Sequence, residues 1–222
     1  MLAEAYVAFE TLFVGSGQQS WLELALKFFP FVLLFELPFY LLVTLGMARF
    51  GLRRSFMRDV RLRLPRVSCV ITCYSEGDDV AKTIESLAHQ RYDGAIEIIA
   101  VIDGAVQNQP TLRAARDAAA RLAGLPRRHV IVLPKWQRGG RVSSLNAGLS
   151  MASGEIVMAL DGDTSFDNDM VRQATRHFDD PLVVGVAGNL RVRNAAASLV
   201  ARLQSLEYLM SIGAGKTGLS EW

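Results

Sequence analysis

Apolar runs and amphipathic stretches alternate along this chain from residue 66 onward. Five short, nearly continuous apolar runs predict strands that are buried on both faces: Val67–Thr72, Ile96–Ile102, Val130–Leu133, Ile156–Leu160 and Val183–Ala187. Apolar side chains at helical spacing predict the elements between them: Val80–Ala88, Thr111–Ala123, Val142–Leu149 and Asp169–Phe178. This alternation predicts an α/β fold with a doubly wound, mostly parallel sheet and right-handed crossovers.

Two further stretches have apolar positions without strand character. Residues Ala195–Ile212 predict an amphipathic helix that either packs on the sheet or lies in a membrane interface, and we expect sheet packing. Near the amino terminus, Phe28–Met47 contains twenty residues with a single charge, Glu36. Its Leu, Phe and Val side chains favour insertion by about 4 to 8 kcal/mol, which exceeds a cost of about 3 kcal/mol for one acid. We therefore predict one transmembrane helix over 28–48; the alternative is a buried core helix.

Charge is unevenly placed around this apolar segment. The formal net charge of the 222 residues is only +2, which argues against nucleic-acid binding. Arginines are nevertheless concentrated in the linker over 49–65. The positive-inside rule then predicts that the amino terminus lies outside and that residues 49 onward are cytoplasmic, at the inner (plasma) membrane in a single-pass arrangement. Cys69 and Cys73 lie four apart on one predicted strand, too far apart for a disulfide, and we expect them to be packing residues.

Two carboxylates follow the fourth predicted strand. In Asp161-Gly162-Asp163 the acids are two residues apart, so in extended chain their side chains point to the same side, roughly 7 Å apart. Open α/β sheets bind ligands at the carboxyl ends of their strands. Two hard oxygen donors at that edge suit Mg²⁺ or Mn²⁺ held together with a diphosphate.

The other strand ends also carry polar side chains. Tyr74 can stack on a planar ring and Glu76 can accept hydrogen bonds from it, while Asp103 can accept an N–H from a base. The loop Lys135–Arg141 contains three cations and two glycines and leads into a predicted helix, which suggests a diphosphate cradle. We expect these loops and the carboxylate pair to converge on one edge of the sheet.

With these motifs, the chain resembles glycosyltransferase family 2 over roughly Pro65–Asn194. The matching segments are Val67–Glu76, Glu97–Gly104 and Gly139–Asp163, and the last is specific in the order and spacing of its residues. Together with the apolar amino-terminal segment, they resemble the processive membrane synthases of cellulose, hyaluronan, chitin and poly-N-acetylglucosamine. The resemblance implies an A-type nucleotide-sugar-binding fold, Rossmann-like, incomplete at its carboxyl-terminal end and preceded by one transmembrane helix.

The resemblance also implies roles for individual residues. The donor would be a UDP-sugar, UDP-glucose or UDP-N-acetylglucosamine, and the acceptor a growing polysaccharide, with inversion at the anomeric carbon. Asp163, with Asp161, would bind the Mg²⁺ or Mn²⁺ ion. The residues implied to hold the donor are Thr72, Tyr74, Glu76, Asp103, Arg138, Arg141 and Asp161. Arg141 stands where the family usually has Lys, and a guanidinium holds a phosphate with a different geometry.

One expected feature of the family is missing. Inverting transfer needs a base to deprotonate the acceptor hydroxyl, and the family supplies it from an acid farther beyond the carboxylate pair than Trp222. No catalytic residue is therefore assigned. We expect the chain to be the amino-terminal portion of a synthase, as a truncated gene product, a fragment or one subunit of a split enzyme. The alternatives are a polyprenyl-phosphate glycosyltransferase and a catalytically incomplete, membrane-tethered binding or regulatory protein.

The sequence thus predicts five regions. They are an extracytoplasmic or interfacial segment over 1–27, the transmembrane helix over 28–48, the basic linker over 49–65, the nucleotide-sugar-binding domain over 66–194, and an amphipathic helix with a tail over 195–222.

Overall fold

The computed structural model describes residues 27–56 and 63–222, which fall into two compact units. One unit is Asp59–Gly188, and the other combines Met1–Arg58 with Asn189–Trp222. The strands are β1 Val67–Cys73, β2 Ile96–Ile102, β3 Arg128–Pro134 and β4 Ile156–Asp161. The α-helices are α1 Leu37–Phe56, α2 Asp79–Ala88, α3 Gln109–Leu122, α4 Gly140–Met151, α5 Met170–Thr175, α6 Leu199–Tyr208 and α7 Lys216–Leu219.

The unit Asp59–Gly188 is built on a four-stranded sheet of order β3-β2-β1-β4, in which every neighbouring pair is parallel. The central strands β1 and β2 are almost completely buried, and this burial on both faces explains their continuous apolar sequences. The α/β class and the parallel sheet predicted from the sequence are confirmed.

Helices cover both faces of this sheet. On one face, the larger part of the core joins the strands to α2, α3 and α5 through side chains such as Ile84, Leu112 and Val171. On the other face, Val70, Ile99 and Val101 pack against α4. Since α4 carries the chain from β3 back across the sheet to β4, it lies on the face opposite α2 and α3.

The connection through α4 creates a crevice between β1 and β4. The chain builds the sheet outward from β1 to β3 and then returns to the other side of β1. Loops leaving β1 and β4 therefore run in different directions, which is the arrangement at which open α/β sheets bind ligands. Thr72 and Asp161 are paired in the register of these two strands, so both lie at the mouth of the crevice.

The predicted strand Val183–Ala187 is wrong. Although these residues are described, they form no strand, and β4 is the last strand at its edge of the sheet among the described residues. Val184 is 95% exposed and the preceding Leu182 is 86% exposed. An apolar run forms a buried strand only where a neighbouring strand and a covering layer exist, and the described residues supply neither here.

Helix α4 also differs from its predicted packing. Val142 and Leu149, expected on the buried side, are exposed, whereas Leu145 packs against the sheet. Ser144 and Gly148 are buried instead. A Cβ atom on Gly148 would collide with the side chain of Val70, so the helix lies against the sheet through its small residues.

In the other unit, α1 continues a longer helix. Residues Lys27–Arg53 are long and apolar enough to cross a membrane, and only 6% of the most apolar window is buried among the described residues. That exposure argues against the alternative of a buried core helix. A π-helical turn at Val32–Glu36 precedes Pro38, with the Leu37 N–H donating to the Val32 carbonyl. Because proline lacks an N–H and crowds the carbonyl one turn earlier, the widened turn accommodates it.

Helix α7 packs closely on α1. A Cβ atom on Gly46 would collide with the carbonyl oxygen of Gly218, so only hydrogen fits at this crossing. Glu221 forms ion pairs with Arg49 at 3.6 Å and with Arg53 at 3.2 Å, and its side chain is only 7% exposed. This pairing ties the described carboxyl-terminal tail to the basic end of the apolar helix.

Helix α6 was expected to bury its apolar side, and the described residues do not bear this out. The predicted helix Ala195–Ile212 consists of α6 followed by a π-helical segment, Leu209–Gly215. Its predicted apolar side chains are exposed: Leu199, Leu203, Leu206 and Met210. Amphipathic spacing shows that a face is apolar but does not identify what covers it.

Candidate functional site

A cavity of about 300 Å³ lies at the carboxyl ends of the strands in the unit Asp59–Gly188. The structure brings all eight site residues predicted from the sequence to its lining: Thr72, Tyr74, Glu76, Asp103, Arg138, Arg141, Asp161 and Asp163. Their convergence follows from the parallel sheet, since the loops after β1, β2, β3 and β4 all leave from the same edge. The individual roles of these residues remain predictions.

The carboxylate pair is held by the backbone on both sides of Gly162. The Gly162 N–H donates to the Thr72 carbonyl at 3.1 Å, and the Thr83 hydroxyl donates to the Gly162 carbonyl at 2.8 Å. A Cβ atom at Gly162 would lie 3.0 Å from Cys73 Sγ and 3.2 Å from Glu76 Cδ. An added methyl group would therefore force its neighbours to shift by a few tenths of an ångström, because the end of β4 lies close against the loop after β1.

Asp103 lies at the end of β2 and is a centre of hydrogen bonding. Its Oδ1 accepts from Lys135 Nζ at 2.8 Å and from the Gly139 N–H at 2.9 Å, while its Oδ2 accepts from the Gly140 N–H at 2.8 Å. Burial alone would raise the pKa of Asp103, but the hydrogen bonds and the Lys135 charge outweigh it and the pKa is lowered. The carboxylate is thus ionised and nearly buried, with 5% of its side chain exposed.

These contacts differ from the diphosphate cradle expected in the loop Lys135–Arg141. Lys135 and the amides of Gly139 and Gly140 face the carboxylate of Asp103, which lies at the amino terminus of α4. A carboxylate is stabilised at that position by the helix dipole. Two cations of the loop, Arg138 and Arg141, line the cavity itself.

Arg138 and Tyr74 form a stacked pair. The guanidinium carbon of Arg138 lies 3.9 Å from the centre of the Tyr74 ring, the geometry of a cation–π contact. Tyr74 is 41% exposed despite this contact. The ring predicted to stack on a base therefore has a cation against one face and remains accessible.

Arg141 contacts the carboxylate pair directly. Its NH1 lies 2.8 Å from Asp161 Oδ1, and both side chains are substantially exposed. Asp163 carries a weaker contact, since Thr164 Oγ1 lies 3.3 Å from its Oδ1. The two acids thus have different partners, and a cation already neutralises one of them.

Glu76 is placed by a strained turn. Ser75 and Gly77 on either side have φ values of 71° and 56°, in the left-handed region, and such strain in a non-glycine residue is typical of functional loops. The Gly77 N–H donates to Thr111 Oγ1 at 2.9 Å, which fixes the turn to α3. Glu76 Oε2 is buried and accepts no hydrogen bond from any residue that the structure describes. Such an acceptor suits a ligand N–H or O–H.

The donor atoms at this edge fit a divalent ion that a diphosphate helps to hold. No cluster of three or more His, Cys, Asp or Glu suited to a metal occurs among the described residues. The protein therefore offers the hard carboxylate oxygens of Asp161 and Asp163. Mg²⁺ and Mn²⁺ are commonly bound by one or two carboxylates with substrate phosphates and water, and this incomplete ligand set fits that pattern.

Two features of the site were not predicted from the sequence. Ser144 lies on the buried side of α4, and its hydroxyl accepts a hydrogen bond from Lys135 Nζ at 3.3 Å. A single serine in a helix belongs to no motif that would have pointed to this contact. The engagement of Asp103 with its own neighbouring loop was also missed. The sequence carried no signal for it, because Gly139 and Gly140 are 36 and 37 residues beyond Asp103 and only the fold brings them together.

Comparison with known proteins agrees with this geometry. Residues 68–217 match the sequence profile described as Glycosyl transferase family 2. The chain belongs to glycosyltransferase family 2. The match begins in β1 and includes every residue that lines the cavity.

Similar proteins include two bacterial transferases. The chain is 30% identical over 152 residues to an N-acetylglucosaminyltransferase of Rhizobium sp. (strain N33), covering 66% of this chain and 32% of that protein. It is 26% identical over 201 residues to the poly-beta-1,6-N-acetyl-D-glucosamine synthase of Staphylococcus aureus (strain MSSA476), covering 85% of this chain and 45% of that protein. The chain therefore spans less than half the length of both of these relatives.

A solved structure shows the same fold. The mannosyltransferase PcManGT of Pyrobaculum calidifontis, in complex with GDP-Man and Mn²⁺, superposes with a TM-score of 0.54 and 23% identity, covering 72% of this chain and 46% of that chain. This likeness agrees with the A-type fold that the resemblance implied for this family 2 domain.

Proposed function

We propose that this chain is the donor-binding portion of an inverting glycosyltransferase that transfers a sugar from a UDP-sugar to a growing polysaccharide. One observation carries the proposal: side chains from four strand ends of a family 2 domain converge on a single cavity that also contains Asp161 and Asp163. Both the charge and the aromatic content of that cavity suit a nucleoside diphosphate.

The proposed donor is UDP-N-acetylglucosamine. Two relatives are named for the transfer or polymerisation of N-acetylglucosamine, which favours this sugar over glucose. The uracil ring would stack on the accessible face of Tyr74 and donate its N–H to Glu76, whose buried oxygen has a free lone pair among the described residues. Asp103, already occupied by Lys135 and two amides, would support the loop more than it contacts the base.

The proposed cofactor is Mg²⁺ or Mn²⁺, held by Asp163 with Asp161. Its chemistry would be the neutralisation of charge on the departing diphosphate. Arg138 and Arg141 would add cationic hydrogen-bond donors to the same phosphates, so that the acceptor hydroxyl can attack the opposite face of the sugar. The base for that hydroxyl is proposed to come from a part of the synthase other than the described cavity.

The proposed location is the cytoplasmic face of the plasma membrane. Lys27–Arg53 has the length and hydropathy of a membrane-spanning helix, and its basic end, with Arg49 and Arg53, leads into the segment preceding the transferase domain. This polarity fits the positive-inside rule. The acceptor polysaccharide would then be elongated close to the membrane.

Calorimetric titration of the full chain in detergent micelles with UDP, with and without Mn²⁺, tests the proposal. We expect Mn²⁺-dependent binding that Asp163→Ala abolishes and that Asp117→Ala, an exposed acid on α3, leaves unchanged. Equal binding by Asp163→Ala and the unaltered chain would refute the site. Tighter binding of GDP than of UDP would refute the base assignment.

Transfer assays separate the alternatives. Labelled sugar appearing on a polyprenyl phosphate, and not on polysaccharide, would indicate the polyprenyl-phosphate glycosyltransferase. Donor binding without transfer, even when the remaining part of the enzyme is supplied as a separate subunit, would indicate a binding or regulatory protein. Transfer restored by that subunit would support the split synthase.

A further inference from the structure

Two ion pairs at the carboxyl ends of the strands differ sharply in burial. Lys135 and Asp103 leave only 18% and 5% of their side chains exposed, whereas Arg141 and Asp161 leave 62% and 47% exposed. The N–O distance is 2.8 Å in both. Exposed pairs contribute little to stability, so the contact of Arg141 with Asp161 costs little to break.

The two partners of the exposed pair also differ in how firmly they are held. Asp161 ends β4 in register with Thr72, and the next residue, Gly162, is hydrogen-bonded through both its N–H and its carbonyl. Arg141, by contrast, reaches Asp161 from the first turn of α4 with a long side chain that is mostly exposed. If the pair opens, Arg141 moves and Asp161 stays.

We propose that Arg141 is an exchangeable counter-ion: it neutralises Asp161 while the site is empty, is displaced by the divalent ion, and then binds the diphosphate. This inference rests on the proposed function. A guanidinium suits both positions, because its planar donor fork matches a carboxylate and a phosphate equally well. The same side chain would thus oppose binding of the metal alone and favour binding of the nucleotide after the metal.

The exchange predicts a coupling with a definite sign. Removing Arg141 removes a competitor from Asp161, so the metal alone should bind more tightly. It also removes a phosphate contact, so the nucleotide should bind more weakly to the metal-loaded protein. A residue that only holds phosphate, or that only stabilises the fold, would not give changes of opposite direction.

The test measures Mn²⁺ binding by electron paramagnetic resonance and UDP binding by calorimetry, with the full chain in micelles. We expect Arg141→Gln to bind Mn²⁺ alone about two- to fivefold more tightly, the range open to one exposed ion pair. With saturating Mn²⁺, it should bind UDP about tenfold more weakly, as loss of a charge-assisted contact implies. Arg141→Lys should lie between the unaltered chain and Arg141→Gln in both measurements.

Arg138→Gln is the matched control, since it removes an equal charge from the same cavity. The Arg138 side chain stacks on Tyr74, whereas the ion pair with Asp161 is made by Arg141. We expect Arg138→Gln to weaken UDP binding and to change Mn²⁺ affinity less than Arg141→Gln. Equal effects of both variants on Mn²⁺ would show a general charge effect and overturn the exchange, while leaving the proposed function intact. Absence of Mn²⁺ and UDP binding in the unaltered chain would overturn both.

Discussion

Lys135 Nζ lies 2.8 Å from Asp103 Oδ1, and this ion pair joins the end of β3 to the end of β2 at the edge of the cavity. The two amides of Gly139 and Gly140 donate to the same carboxylate, so Asp103 also fixes the amino terminus of α4. Ser144 on that helix accepts from the lysine in turn. One buried carboxylate thereby sets the conformation of the loop that carries both cavity arginines.

Lys135→Met should be strongly destabilising, because it leaves the carboxylate of Asp103 buried without its cation. Removing one partner of a buried ion pair costs about 3 to 5 kcal/mol. The amides of Gly139 and Gly140 still donate to Asp103, so we expect a cost near the lower end of that range. The measurement is the shift in the thermal unfolding midpoint of the full chain in micelles. Lys135→Met combined with Asp103→Asn should recover part of the loss, since the uncompensated charge is gone.

Lys82→Met is the matched control for this prediction. Lys82 pairs with Asp79 at 2.7 Å, but 70% and 55% of these side chains are exposed. The expected cost is under about 1 kcal/mol. Equal destabilisation by the two lysine variants would mean that burial of the Asp103 pair has no energetic consequence.

Strand positions could be predicted from the sequence because both faces of the central sheet are covered. Continuous apolar runs located β1 and β2 to within one residue. The same reasoning failed for Val183–Ala187, where an apolar run has no neighbour among the described residues. It also failed for α4, where close approach to Val70 requires the small residue Gly148 and leaves Leu149 exposed. Hydrophobicity predicts burial only where the packing distance accommodates a large side chain.

The fold also explains why the residues that line the cavity could be predicted from the sequence. Parallel strands bring their carboxyl ends to one edge, so residues that follow them, such as Glu76 and Asp163, must converge. Which side chains pair could not be predicted, because pairing depends on rotamers and loop conformations that no periodic pattern encodes. The contacts of Arg141 with Asp161 and of Arg138 with Tyr74 are of this kind.

Glu97→Gln should make the stability of the protein depend less steeply on pH in the acid range. Glu97 is only 8% exposed, and its carboxylate accepts hydrogen bonds from Ser68 and Ser153. Burial alone would raise the pKa of Glu97, but these hydrogen bonds outweigh it and the pKa is lowered. A folded pKa below the unfolded value contributes stability that is complete above about pH 4.3 and is lost as the pH falls through the folded value.

Thermal unfolding midpoints measured from about pH 7 down to pH 3 test this linkage, because the titration lies in that window. The unaltered chain should lose stability steeply below about pH 4.3, whereas Glu97→Gln should start lower and fall less. Glu85→Gln, at an exposed pair with Arg121, should keep the slope of the unaltered chain. Parallel curves for Glu97→Gln and the unaltered chain would contradict the prediction.

Gly162→Ala should impair the proposed metal site more than the fold. The added methyl group would lie 3.0 Å from both Cys73 Sγ and the Thr72 carbonyl oxygen, so the link between the two acids must shift by a few tenths of an ångström. We expect Mn²⁺-dependent UDP binding to weaken about tenfold or more, at a cost in stability of about 1 to 3 kcal/mol. Gly124→Ala is the control, because no described atom lies within 4 Å of its added methyl group. Unchanged UDP binding by Gly162→Ala would show that the spacing of the acids tolerates the shift.

Gly46→Ala should separate α7 from α1, whereas Gly51→Ala on the same helix should not. The methyl group at Gly46 would collide with the carbonyl of Gly218, but no described atom lies within 4 Å of one at Gly51. Because alanine favours a helix by about 1 kcal/mol over glycine, Gly51→Ala should be neutral or stabilising. Hydrogen exchange of the α7 amides in micelles, followed by mass spectrometry, measures the separation. Faster exchange in Gly46→Ala alone is expected, and equal protection in both variants would exclude this glycine contact as the basis of the packing.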